Sequence, residues 1–173
     1  MKKFFLLIVA SLFVTGAFAQ DWSVGGRAGA GLQVMGQYDY ASNRYLEARF
    51  GMSWSNTHQY VDIFGTWAET PITADFTILH NWRIFEFDWT PSAGIWNFDA
   101  GAGVNVGGRE TWAYVGVAGM ARLSFTFNNI PLTLGADWTP SFGPSINYTK
   151  GYREAYYNFH ALFNFAVTCT YRF

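Results

Sequence analysis

"WNFDAGAGVNVGG", Trp96 to Gly108, separates into two chemistries when every second residue is taken. Trp96, Phe98, Ala100, Ala102, Val104 and Val106 form one set; Asn97, Asp99, Gly101, Gly103, Asn105 and Gly107 form the other. Successive side chains of a strand point to opposite faces, so a period of two describes a strand with one apolar and one polar, small-residue face. Everything about the fold then depends on which of the two faces is inside.

The same alternation recurs along the chain, broken by turn residues. Eight runs are expected as strands: Trp22 to Met35, Arg44 to Ser55, Gln59 to Ala68, Thr73 to Trp89, Ile95 to Gly107, Trp112 to Phe127, Leu132 to Tyr148 and Ala155 to Phe173. "SNT", "ETP", "TPSAG", "GGRE", "NNIP" and "TKGYRE" lie between them, with the Gly, Pro, Asn and Ser content that turns require. Pro140 and Pro144 have no amide hydrogen to give a ladder and are expected at a bulge or an irregular strand end. The runs are far longer than the usual five or six residues of a globular strand. An even number of strands lets an antiparallel sheet close on itself with both termini at one end.

Sorting by parity puts the charges on one face. Arg27, Glu47, Arg49, Asp62, Asp75, Arg83, Asp99, Arg122, Asp137 and Arg172 all fall in phase with Gly, Ser, Thr, Asn or Gln. The opposite face carries Val24, Leu46, Phe50, Phe76, Ile78, Val117, Leu123, Trp138, Phe165 and Val167 with almost no charge. The interior of an eight-stranded barrel is only just wide enough for side chains to fill it. Several dozen bulky apolar side chains overfill that space, whereas the glycine-rich face fits. The apolar face is therefore expected outward, against hydrocarbon, since in water it would be one very large apolar patch. Ten lumen charges, five of each sign, are expected to pair as a network that plugs the barrel, because unpaired buried ions lose their hydration. A narrow ion or solute pore lined by the same groups is the alternative.

Composition agrees with an exported membrane barrel. Lys2 and Lys3, the apolar run Phe4 to Val14 and the small residues before Ala19 have the form of a secretory signal peptide over residues 1–19, leaving 20–173 as one barrel domain. After Ala19, nine Lys and Arg face twelve Asp and Glu, a net charge near −3 that makes nucleic acid an improbable partner. One cysteine, Cys169, excludes an internal disulfide framework. Trp22, Trp54, Trp89, Phe127 and Phe173 are expected in an aromatic girdle at the terminus end, and Tyr38, Tyr40, Tyr45, Trp67, Trp112, Tyr148, Tyr152, Tyr156 and Tyr157 in one at the other end.

The last strand, "FNFAVTCTYRF", ends on an aromatic residue, with Phe165, Val167, Cys169, Tyr171 and Phe173 alternating before and at the terminus. In this the chain resembles the small eight-stranded outer-membrane β-barrels of Gram-negative bacteria, the family that includes the transmembrane domain of outer membrane protein A. The resemblance implies an all-β, antiparallel up-and-down transmembrane barrel in the outer membrane, with both termini periplasmic. It also implies that the terminal pattern is a signal read by the barrel-assembly machinery, with outer-membrane lipid as the surrounding partner and a monomer as the state. Adhesins and receptors of this kind usually carry long extracellular loops. The candidates here, Gly36 to Asn43, Glu69 to Ile72, Gly108 to Thr111 and Thr149 to Glu154, are short.

An enzyme is not expected. The chain has no H-E-x-x-H and no nucleophile elbow, and His58, His80 and His160 are too scattered for a metal site. No histidine has a serine two residues away on its own face, the arrangement that barrel lipid-A deacylases share. No catalytic residue, metal or cofactor is assigned; a lipid-binding or lipid-modifying barrel is the remaining alternative. The expected role is structural, stabilising the envelope.

Overall fold

The computed structural model describes residues 21–54, 58–62, 65–69, 72–148, 154–159 and 161–173. The signal segment and His160 lie outside the described residues. Among the described residues the twelve regular elements are all strands: β1 Trp22–Gly29, β2 Gly31–Ala41, β3 Arg44–Ser53, β4 His58–Asp62, β5 Gly65–Glu69, β6 Thr73–Phe87, β7 Gly94–Arg109, β8 Trp112–Phe127, β9 Leu132–Trp138, β10 Ser141–Asn147, β11 Glu154–Phe159 and β12 Phe165–Arg172.

Hydrogen bonding runs around a closed circuit, β8-β7-β6-β3-β2-β1-β12-β9 and back to β8, with every pair antiparallel. β10 continues the wall position of β9 along β8, and β11 pairs with β10 as the continuation of β12. The molecule is thus an eight-stranded antiparallel barrel. Closure leaves no sheet edge at the height of β9 and β12; beyond it, among the described residues, β11 pairs with β10 alone.

The eight walls are not the eight runs expected from the sequence. Trp22 to Met35 is a hairpin rather than one strand: β1 folds back on β2, with Ala28 opposite Leu32 and Trp22 opposite Tyr38. Gly29 takes a φ of +154° in the turn, a conformation that a side chain would strain. Gln59 to Ala68 is a second hairpin, β4 against β5, which among the described residues pairs with no other strand, while β3 and β6 bond directly to each other. One hairpin adds a wall and the other removes one.

Three corrections follow. Gly36 to Ala41 is strand, and the turn to Arg44 lies at the end that carries the termini. Trp54 lies at the opposite end, while Tyr38 and Tyr40 share the terminus end with Trp22. The connection from Ser53 to Thr73 is not a short loop, because it holds the β4–β5 hairpin.

Parity survives these changes. Arg27 pairs across the first turn with Gln33, so the alternation runs through the hairpin unbroken. Ser23, Arg27, Gln33, Glu47, Arg49, Asp75, Asp99, Arg122 and Asp137 are buried inside, whereas Val34, Phe50, Val117, Phe165 and Val167 are exposed outside. A register shift between Arg83 and Phe85 marks a bulge at Ile84, which exposes both Ile84 and Phe85.

Glycines make the interior fit. The fully buried Asn81 side chain fills the space that a side chain at Gly101 would need, and at Gly103 the backbone of Ile78 and Leu79 fills it. Leu79, Ala118 and Met120 form a small apolar layer within the lumen.

Candidate functional site

Among the described residues the buried charged side chains gather in the lumen. Two neighbouring walls are interrupted at the same height, between β9 and β10 at Thr139 and Pro140 and between β11 and β12 before Phe165. Pro140 has no amide hydrogen for the ladder, and its carbonyl accepts instead from the Gly119 amide at 2.9 Å. Pro144 lies inside β10, where the ladder to β8 lapses at Gly143 and Pro144. Backbone groups released at the break become partners for lumen side chains. Arg27 Nη2 donates to the Asn164 carbonyl at 3.2 Å and to its side-chain Oδ1 at 2.9 Å.

At this height three arginines surround two acids. Asp137 accepts from Arg27 Nη2 at 2.8 Å and Arg27 Nε at 3.0 Å, and forms ion pairs with Arg49 Nη2 at 3.1 Å and Arg122 Nη2 at 3.2 Å. Glu47 accepts from Arg122 Nη1 at 2.8 Å and Nη2 at 3.0 Å, and also from Arg49 Nε. Gln37 donates to its second oxygen at 2.7 Å. Arg49 Nη1 completes the set by donating to Thr139 Oγ1 at 3.0 Å. Bidentate, charge-assisted contacts of this kind fix side chains in one arrangement.

The remaining charges expected in the lumen divide. Asp75 belongs to a second, neutral-partner cluster: Gln33, Thr77, Asn105 and Tyr114 donate to it, and none of the ion pairs among the described residues involves it. The expected pairing of five arginines with five acids is therefore corrected at this position, because Asp75 lies near the opposite end of the lumen among amide and hydroxyl groups. Asp99 accepts from the Tyr45 hydroxyl at 2.8 Å and stands 3.8 Å from Arg83 Nε. Arg172 is exposed at the rim and bonds Asp39 across it at 2.9 Å. Asp62 ends β4, outside the barrel wall, and its side chain is outside the described residues.

The charged residues alone do not make this network. Gln33, Gln37, Tyr45, Asn105, Tyr114, Thr139 and Asn164 link the ions, and counting charges passes over all of them. Tyr45 and Trp112, expected in a girdle, point inward and are buried. Parity held that information, since Tyr45 is in phase with Glu47 and Trp112 with Arg122.

Outside the wall, His80 bonds Tyr40 through Nε2 and meets the edge of Trp82, with ring centroids 4.3 Å apart. Of the terminal pattern, Phe165, Val167, Cys169, Tyr171 and Phe173 are all exposed outward. β12 closes the circuit by pairing with β1 on one side and β9 on the other. Among the described residues no group of three His, Cys, Asp or Glu side chains could hold a metal ion. No family model, curated protein or solved structure matches the chain.

Proposed function

We propose that this barrel is an integral protein of the Gram-negative outer membrane, with both termini in the periplasm, whose ion-paired lumen closes it to solutes and whose role is to stabilise the envelope. The observation that carries the reading is the inversion of polarity. Val117 is 67% exposed and Val34 65%, while the Asp137 and Glu47 side chains are fully buried. Water-soluble proteins bury the first kind of residue and expose the second. A surface of this kind is at ease in hydrocarbon, where a closed barrel is one of the two structures that satisfy every backbone polar group.

The lumen network favours closure over conduction. Asp137 and Glu47 are each held by more than one arginine, so a permeating ion must break several charge-assisted bonds to pass. Refolded protein in planar bilayers is expected to give no steady conductance while showing the heat-dependent gel migration of a closed barrel. Reproducible ion-selective steps from protein in that folded form would overturn the closed-lumen reading, and the absence of a migration shift would overturn the membrane reading.

The terminal strand supports assembly by the barrel-assembly machinery. Phe173 donates its amide to the Trp22 carbonyl at 3.1 Å, so the last residue takes part in the closing seam. Deleting Phe173 is expected to remove most of the protein from outer-membrane fractions in cells while leaving refolding in detergent largely intact. Normal membrane levels of the truncated chain would count against outer-membrane assembly by this signal.

A further inference from the structure

We propose that the pit at the terminus end of the lumen is a binding site for a small zwitterion carrying a primary ammonium and a carboxylate or phosphate. Two chambers occupy this end. An outer one of about 270 Å³ lies at the rim and an inner one of about 80 Å³ lies beneath it, and both are bordered by Asp39, Arg83 and Arg172. Arg122, on the floor, is tied to Glu47. Hydroxyl and amide groups lie between the charges of the inner chamber, beside apolar surface that includes Pro131.

Two groups in the inner chamber call for a ligand with opposite charges. Asp99 is 4% exposed, and its Oδ1 accepts no hydrogen bond among the described residues. Arg83 Nε, 3.8 Å away, donates none. That distance is too long for the two to satisfy each other. Charged donors and acceptors form the stronger hydrogen bonds, so an ammonium suits Asp99 and an anionic oxygen suits Arg83.

The rest of the lining argues against a ligand of single charge. Asp21, Asp39 and Asp99 border the two chambers together with Arg83, Arg122 and Arg172. A bare cation meets three arginines and a bare anion three carboxylates, whereas a neutral molecule carrying both charges meets its complement at each. Its ammonium enters the inner chamber first and its anionic group stays toward Arg83 and the rim. The inner volume admits the ammonium end of an amino acid and the outer one its remainder. The same chemistry occurs in a free amino acid and in an ethanolamine phosphate headgroup. The site requires the closed barrel and makes no use of the bilayer.

The test is NMR titration of the folded protein in detergent with glycine and, separately, with glycerophosphoethanolamine. Acetate, methylammonium and trimethylglycine serve as probes that lack one charge or the N–H donors. Saturable shifts at Asp99 and Arg83 are expected with glycine or glycerophosphoethanolamine and not with the three controls. Tighter binding of glycine assigns a free amino acid as the source, and tighter binding of glycerophosphoethanolamine assigns the headgroup. Asp99→Asn and Arg83→Gln are each expected to weaken binding by about 10- to 100-fold, with Cys169→Ser unchanged. Arg83 is partly exposed, so its variant carries the test if Asp99→Asn fails to fold. No saturable shift with either zwitterion, or equal shifts with acetate or methylammonium, would overturn the proposal without touching the membrane assignment.

Discussion

Asp137→Ala is expected to lower the unfolding free energy of the barrel by about 3–5 kcal/mol, the range found when one partner of a buried ion pair is removed. The geometry places it at the upper end. Asp137 is the meeting point of Arg27, Arg49 and Arg122, and its side chain is fully buried. Without it, Arg49 and Arg122 share Glu47 alone, and Arg27 keeps only the neutral partners Gln33 and Asn164. Their charges remain, because arginine stays protonated at any pH the fold survives. Asp75→Asn provides the comparison. Asp75 is equally enclosed but is held by neutral donors, so its loss of charge strands no cation; the cost there is that of weakened hydrogen bonds, about 1–3 kcal/mol. Urea unfolding of folded samples, compared at equal slope, reads both variants. Equal losses for the two would mean that water enters and screens the arginine cluster. The large value for Asp137 measures what a stranded charge costs, and it does not imply that the network as a whole adds net stability over an apolar core.

Most of the barrel was legible in the sequence because parity is a local property that hairpins can conserve. Arg27 and Gln33 stay in phase across a tight turn, and so the faces were right even where the strand was not. The same conservation hid the turn. An alternating run of 14 residues from Trp22 to Met35 looks like one spanning strand, and only Gly29, Ala30 and Gly31 mark the reversal. The total of eight walls is unchanged because the β4–β5 hairpin, which looks like one spanning strand, contributes none. Pairing partners were beyond reach for a different reason. Which arginine meets which acid depends on shear and on where walls break, and the break at Thr139 and Pro140 that lets Arg49 reach Thr139 is a tertiary property. The bulge on β6 lies at Ile84, between Arg83 and Phe85. His80 stands before the bulge and so keeps the outward phase of Ile78 and Trp82.

Val117→Arg is expected to destabilise the protein in a bilayer by about 2–4 kcal/mol, the cost of an arginine on the hydrocarbon face near the midplane. Val117 is suited to the measurement because it is 67% exposed and stands toward the middle of the wall, opposite Val104 on β7 and Phe142 on β10. Its side chain has little packing to lose, so the substitution reports the surrounding solvent and not the interior. In water the same exposed change alters stability by only about 0.5 kcal/mol in either direction. Depth adds a second test. Val24 also faces outward but lies near the rim, two residues from the start of β1 and opposite Tyr171 on β12, and Val24→Arg is expected to cost only about 0–1 kcal/mol, since a long cationic side chain there reaches the headgroups. Unfolding both variants from lipid vesicles compares them directly. A large cost at Val117 with a small one at Val24 follows only if the apolar outer face meets hydrocarbon across its middle and water at its ends. Small and equal costs would place that face in water or against another protein, and would leave the buried ion network as the property of a barrel with a different outer partner.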